Sequence, residues 1–192
     1  MYDKEIQGFG VQLKPLEHEQ IERVRLWRNN PEISQYMFEQ GEISQEQQQA
    51  WFESLKKKNN VGFWLAHYKN EVIGVINVTS VNGSSVEKAS TLEPGLYMVP
   101  ESRYKNSILA FCPSLALIDY FFKLGTLVME AKVKSTNSAA LRYNEMLGYK
   151  VIAEKSTSNI NTSEKSADII TMRLERQGFA KAKNRLTKII RF

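Results

Sequence analysis

Gly95-Leu96-Tyr97-Met98-Val99-Pro100 runs straight into Glu101-Ser102-Arg103-Tyr104-Lys105-Asn106-Ser107, and the reading of this junction decides the fold. An apolar run ending at a proline predicts a strand, and the polar, basic turn after it predicts the opening of a helix. A strand entering a loop before a helix leaves backbone N–H groups without intrahelical acceptors, at the positive end of the helix dipole. Such groups hold phosphate oxygens.

Toward the C-terminus, Leu117, Tyr120, Phe121 and Leu124 recur at helical spacing within 109–124. Pro113 lies inside this run. Either it kinks a helix that begins near Ser107, or it is the first helical residue after a long turn, and the second reading is preferred. Gly125 ends the helix, Leu127 to Val133 reads as a strand, and Thr136-Asn137 starts a helix carrying Ala140, Tyr143 and Leu147 toward Gly148. Tyr149 to Ala153 and Ile169 to Leu174 supply the last two strands.

Toward the N-terminus, Val11 to Leu16 alternates and suits a first edge strand. Ile21, Val24 and Trp27 form an inward stripe of a helix that Asn29-Asn30-Pro31 stops. Tyr36, Met37 and Phe38 make an apolar cluster in a short helix and loop, and Ser44 to Gln47 reads as a capping box for a helix burying Trp51 and Leu55. Val61 to Tyr68 and Val72 to Thr79 form a hairpin, with Gly74 marking a bulge or a close backbone approach.

Composition narrows the functional classes. The chain has 192 residues, 42% hydrophobic and 24% charged, enough for one domain with its own core. Cys112 is the single cysteine, so no internal disulfide forms, and with His18 and His67 it makes no zinc-type ligand cluster; no metal is expected. A cytoplasmic setting fits, since no apolar run approaches the roughly 20 residues needed to span a bilayer and the start of the chain lacks a signal-peptide pattern. The net charge of +5 is a property of the tail. After Glu175 there are six cations and no acid, which leaves residues 1–175 at −1, and that argues against a nucleic-acid partner. The expected organisation is a domain over 1–175 and a basic amphipathic tail over 176–192. The tail's apolar face is expected to pack on the domain or on a second subunit, as in a homodimer, with a peripheral anionic membrane contact as the other reading.

The order of elements, the strand ending at Met98-Val99-Pro100, the basic turn, and above all Asn137-Ser-Ala-Ala-Leu-Arg-Tyr143-Asn-Glu-Met-Leu-Gly148-Tyr149 together resemble the GNAT superfamily of acyl-CoA-dependent N-acetyltransferases. The resemblance runs from about Val11 to Leu174. It implies an α+β fold in α/β/α layers, with a mixed, mostly antiparallel twisted sheet of about six to seven strands flanked by helices. Trp27-Arg28-Asn29, Pro31-Glu32, Ile43 and Trp51-Phe52 are similar to the branch that acetylates nucleotide-linked amino sugars for bacterial surface glycans, and also to the branch that acetylates ribosomal-protein amino termini. The sugar branch is preferred. In the family's turn, glycines let the backbone approach the coenzyme A pyrophosphate, whereas here Asn106 and Ile108 take their places. The rival class is therefore a fold that has lost the cofactor and serves as an interaction module.

The resemblance implies acetyl-CoA as donor, a backbone N–H at Met98 polarising the thioester carbonyl, and Tyr143 protonating the thiolate. It also implies that Asn137 bonds the pantetheine arm, and that Arg103, Tyr104, Lys105, Asn106, Ser107, Ile108 and Leu109 hold the pyrophosphate. Glu93 is the candidate base, directly or through water, with His67 and bulk solvent as alternatives. Arg28, Asn29 and Trp27 are the candidate acceptor contacts, a guanidinium being suited to a diphosphate. Each has a plainer reading: Glu93 as a loop carboxylate, Tyr143 and Trp27 as core aromatics, and Arg28 as a cap for helix-end carbonyls.

Overall fold

The computed structural model describes residues 1–39, 41–155 and 168–190. Its strands are β1 (Ile6–Gly8), β2 (Val11–Pro15), β3 (Val61–Tyr68), β4 (Glu71–Ser80), β5 (Thr91–Met98), β6 (Val128–Lys134), β7 (Lys150–Lys155) and β8 (Ile169–Glu175). The helices are α1 (Ile21–Asn29), α2 (Pro31–Ser34), α3 (Gln45–Lys56), α4 (Cys112–Leu124), α5 (Ser138–Leu147) and α6 (Arg176–Ile189), with a 3-10 turn over Ile108–Phe111 leading into α4. The strands form one sheet in the order β1-β2-β3-β4-β5-β6-β8-β7, antiparallel throughout except where β5 meets β6.

The described residues give eight strands rather than six or seven, and the extra one lies outside the expected edge. Ile6 pairs with Leu13 and Gly8 with Val11, so β1 covers the edge of β2. Phe9 and Gly10 turn the chain between them with φ of 51° and 76°, a hairpin geometry in which a phenylalanine gives little sequence warning. The bulge expected near Gly74 is present: the β3–β4 register shifts between Ala66 and His67, as Ala66 faces Gly74 and His67 faces Val72. A Cβ on Gly74 would also lie 3.0 Å from the Tyr97 carbonyl oxygen, so close backbone approach applies as well.

Two cores sandwich the sheet. On one face Leu92, Met129, Met172 and Leu174 pack with Leu115, Ile118 and Phe121 of α4 and with Phe179 and Leu186 of α6. On the other, Ile21, Val24 and Trp27 of α1 and Phe52 of α3 pack on Leu65, Val75 and Val99. This is the expected three-layer arrangement. Ser44 caps α3 reciprocally with Gln47. Trp51, however, is only half-buried, edge-on to Phe63, while Phe52 takes the core position. Tyr36 and Phe38 are exposed rather than clustered in a core. Pro113 is the second residue of α4, where its missing N–H costs nothing. The basic segment of the tail forms α6, whose Phe179, Ala182 and Leu186 are buried in the α4-side core with Ile190 just beyond them, while Ile189 stays exposed.

Candidate active site

The sheet opens at its centre. β5 and β6 pair in parallel only at Thr91↔Val128 and Leu92↔Met129 and then diverge. The Val99 amide bonds the Ile73 carbonyl, and the Val81 amide bonds the Thr91 carbonyl. Because bonded pairs alternate along an antiparallel ladder, the odd residues of β5 bond to β4 and the even ones face β6. Pro94 is in the even set. Its absent N–H removes the next donor toward β6, which helps end the pairing there. The amides of Leu96 and Met98 belong to the same set and face the gap. Met98, whose amide is the expected polarising N–H, is one of these two, and Leu96, which sequence reasoning passed over, is the other.

On the α1 face of the gap stand the odd side chains. Glu93 reaches across to Lys132 of β6, Oε2 to Nζ 2.7 Å, and the pair is partly exposed. Gly95 pairs with Asn77 of β4, and a Cβ there would lie 2.6 Å from Asn77 Oδ1, so glycine keeps the Asn77 amide tight against the strand. Lys134 donates to the Met37 carbonyl, tying β6 to the loop after α2. Asn77 and Lys132 carried a faint signal in the sequence, as polar residues inside strand-like runs.

On the α4 face, Tyr143 stacks on Phe111 at 4.5 Å with 7° between the planes. Its hydroxyl lies 2.8 Å from Ser114 Oγ and 3.1 Å from the Ala110 carbonyl. Burial pushes its pKa well above the usual phenol value, and the Ser114 bond offsets only part of that. The phenol therefore stays protonated at neutral pH, as an acid must. Asn137 caps α5, its Oδ1 accepting from the Ala140 amide at 3.0 Å, which leaves its NH2 group for another acceptor. Cys112 is fully buried, and its thiol is pushed up to about 11 by that burial, so it is no candidate for a covalent acyl carrier.

The turn after β5 satisfies much of itself. The Tyr104 amide bonds Ser102 Oγ, the Lys105 amide the Ser102 carbonyl, the Ser107 amide the Tyr104 carbonyl and the Leu109 amide Ser107 Oγ. Among the described residues the amides of Glu101, Arg103, Asn106 and Ile108 have no acceptor, so the two positions that replace the family's glycines are among the free donors. Arg103 pairs with Glu71, and Lys105 with Glu32 at 2.8 Å. These cations stand at the turn already partnered. The residues present fit a coenzyme A thioester: free amides at the turn, inward amides on β5, and an uncommitted NH2 on Asn137.

The acceptor candidates divide. Trp27 is buried in the α1 core with Nε1 donating to Glu101 at 3.2 Å. It borders a cleft of about 570 Å³ between α1 and the turn, shared with Arg23, Asn30 and Glu71. Asn29 holds the Ile43 backbone from both sides, each bond 2.9 Å, and so fastens the loop before α3 to the end of α1. Arg28 is half-buried and has no hydrogen-bond or ion-pair partner among the described residues. His67, the alternative base, lies on β3 with Nδ1 3.1 Å from the Leu65 carbonyl, beyond β4 from the gap, and its pKa is lowered by burial. The structure does not bring it together with Glu93.

Known proteins share this family and fold. The chain is similar to acetyltransferase PseH of Campylobacter jejuni, 28% identical over 94 residues, an alignment that spans 49% of this chain and just over half, 55%, of that protein. Among solved structures it resembles spermidine N-acetyltransferase from Vibrio cholerae in complex with CoA and spermine (TM-score 0.76, 16% identity, 90% of this chain and 99% of the other). It also resembles AAC(6')-Ib in complex with ribostamycin and coenzyme A (TM-score 0.73, 17% identity, 90% and 97%). The model of the acetyltransferase (GNAT) domain family matches residues 11–150, the span that contains the opened sheet, the turn and Tyr143, and the chain belongs to that family.

Proposed function

We propose that the protein transfers an acetyl group from acetyl-CoA to the primary amine of a nucleotide-linked amino sugar, a cytoplasmic step toward a bacterial surface glycan. The observation that carries this reading is the short pairing of β5 with β6, which leaves two backbone donors and a carboxylate facing one gap. The thioester supplies an activated acyl group when bound. Asn106 and Ile108 amides, with Arg103 and Lys105, hold its pyrophosphate, and the Asn137 NH2 group bonds the pantetheine arm. The Leu96 or Met98 amide stabilises charge developing on the carbonyl oxygen. Glu93 accepts the proton of the attacking amine, whose ammonium would take the place of Lys132 on that carboxylate. Tyr143 gives its proton to the departing sulfur.

The similarity of 27–32 and 51–52 to the sugar-acetylating branch supports the acceptor class. The solved neighbours named for spermidine and bound to ribostamycin suggest a polycationic acceptor instead, which Glu93 alone would accommodate. Thiol release from acetyl-CoA, followed with a UDP-linked 4-amino sugar, spermidine and a peptide amino terminus as competing acceptors, decides the matter. The sugar is expected to react at least about tenfold faster, a difference of 1.4 kcal/mol. Preference for the peptide or the polyamine would overturn the acceptor assignment.

A further inference from the structure

The amine already bonded to the candidate base belongs to the chain itself. Lys132 Nζ donates to Glu93 Oε2 at 2.7 Å, and its side chain is 46% exposed, so a bound molecule can reach it. Met129, Ala131 and Val133 of β6 are buried in the α4-side core, which puts Lys132 on the opposite face together with Glu93. Counting along the two parallel strands from Leu92↔Met129, Lys132 comes level with Gly95, one residue before Leu96, whose amide faces the gap. Gly95 has no side chain to stand between Lys132 and that amide, and a flexible four-carbon stem carries the nitrogen across such a step. Lys134, two residues on and on the same face, is engaged differently. Its Nζ donates to the carbonyls of Met37 and Gln35, which take no proton.

We propose that Lys132 is itself an acetyl acceptor, so that without a competing amine the protein acetylates its own Lys132 side chain, an inference that rests on the acetyl-transfer reading and adds a modification site to it. The donor is acetyl-CoA. Lys132 Nζ passes a proton along its existing bond to Glu93 and, as a neutral amine, attacks the thioester carbonyl carbon. The C–N bond forms and the C–S bond breaks. Glu93 hands the two protons lost by the nitrogen to solvent in turn, while Tyr143 protonates the sulfur and regains its proton from solvent, so one proton is released overall. The products are Nε-acetyl-lysine at 132 and the free thiol of coenzyme A. The acetamide is neutral, so Glu93 loses its resident cation.

The test incubates the full chain with acetyl-CoA and no amine, then locates acetyl groups by peptide mass spectrometry with Lys134 as the internal reference. Lys132 is expected to take up the group at least about tenfold faster than Lys134, because a nucleophile held beside the thioester needs no separate encounter. Excess coenzyme A should suppress the label, and Glu93→Gln should slow it about 10²-fold. Lys132→Arg, which keeps a cation for Glu93 and removes the nucleophile, should leave the intact mass unchanged. Labelling of Lys132 no faster than Lys134, or unaffected by Glu93→Gln, is uncatalysed surface chemistry and overturns the proposal. Acetylation of a free amine with Lys132 left unmodified overturns it while leaving the acetyl-transfer reading intact. A label on Lys132 with no free amine acetylated supports it and overturns the assigned acceptor, whereas neither label nor turnover overturns both.

Discussion

Tyr143 combines two properties at one atom: a hydroxyl kept protonated by burial and a short bond to Ser114 that fixes its direction. Tyr143→Phe keeps the stack on Phe111 and removes only the hydroxyl. It should lower kcat about 10²-fold, the usual range for a general acid, while acetyl-CoA affinity by calorimetry stays within about twofold. An unchanged kcat would remove Tyr143 from the chemistry. Glu93→Gln, in contrast, should lower kcat for the amine acceptor with acetyl-CoA affinity by calorimetry unchanged within about twofold, because the amide cannot take a proton; an unchanged kcat would remove Glu93 as the base. Both residues could be nominated from the sequence, Tyr143 by its spacing from Asn137 and Gly148, Glu93 by its place before the apolar run. The orphaned Tyr97 hydroxyl could not, because an apolar strand with a tyrosine in it looks like core until that hydroxyl is seen to be buried with no partner among the described residues.

The elements owe their limits to local chemistry that the chain states openly. Ser44 and Gln47 cap α3 as a reciprocal pair, and Ser44→Ala should cost about 1 kcal/mol of unfolding free energy in a urea titration. Gly148 ends α5 at φ 97°, and a Cβ there would stand 2.7 Å from the Gly178 carbonyl oxygen of α6. Gly148→Ala is therefore expected to destabilise the protein by at least about 2 kcal/mol, combining left-handed backbone cost with a backbone clash. The turn feeding α4 is less legible. Its serine hydroxyls at Ser102 and Ser107 occupy two of the amides expected to meet phosphate, and Asn106 and Ile108 are among the free donors. Side-chain oxygens competing for nearby amides are common in such segments, but which amides they take depends on the path of the turn in space.

Across the whole molecule, α6 closes the α4-side core. Asp119 of α4 sits between Lys123 and Lys183, 2.7 and 2.6 Å away, and the second contact joins α4 to α6. Burial raises the Asp119 pKa, but hydrogen bonds from the two lysines outweigh it and hold the carboxyl below its usual value. A depressed folded pKa gives stability that is present above the unfolded pKa and lost as pH falls through the folded one. Asp119→Asn should thus lower Tm by a few degrees at pH 7, with the gap to wild type narrowing as pH drops below about 4; a constant gap would show that charge is not the cause. Taken alone, the sequence determined the periodic helices, the caps, the strand–turn–helix junction and the Asn137 to Gly148 segment, because these depend on interactions within a few residues. The tertiary structure decided that β1 shields β2, that β5 and β6 part after two pairs, and that Lys132 faces Glu93. Those features depend on which distant strands become neighbours and on which edge of each strand is left without a partner, and no local pattern encodes that.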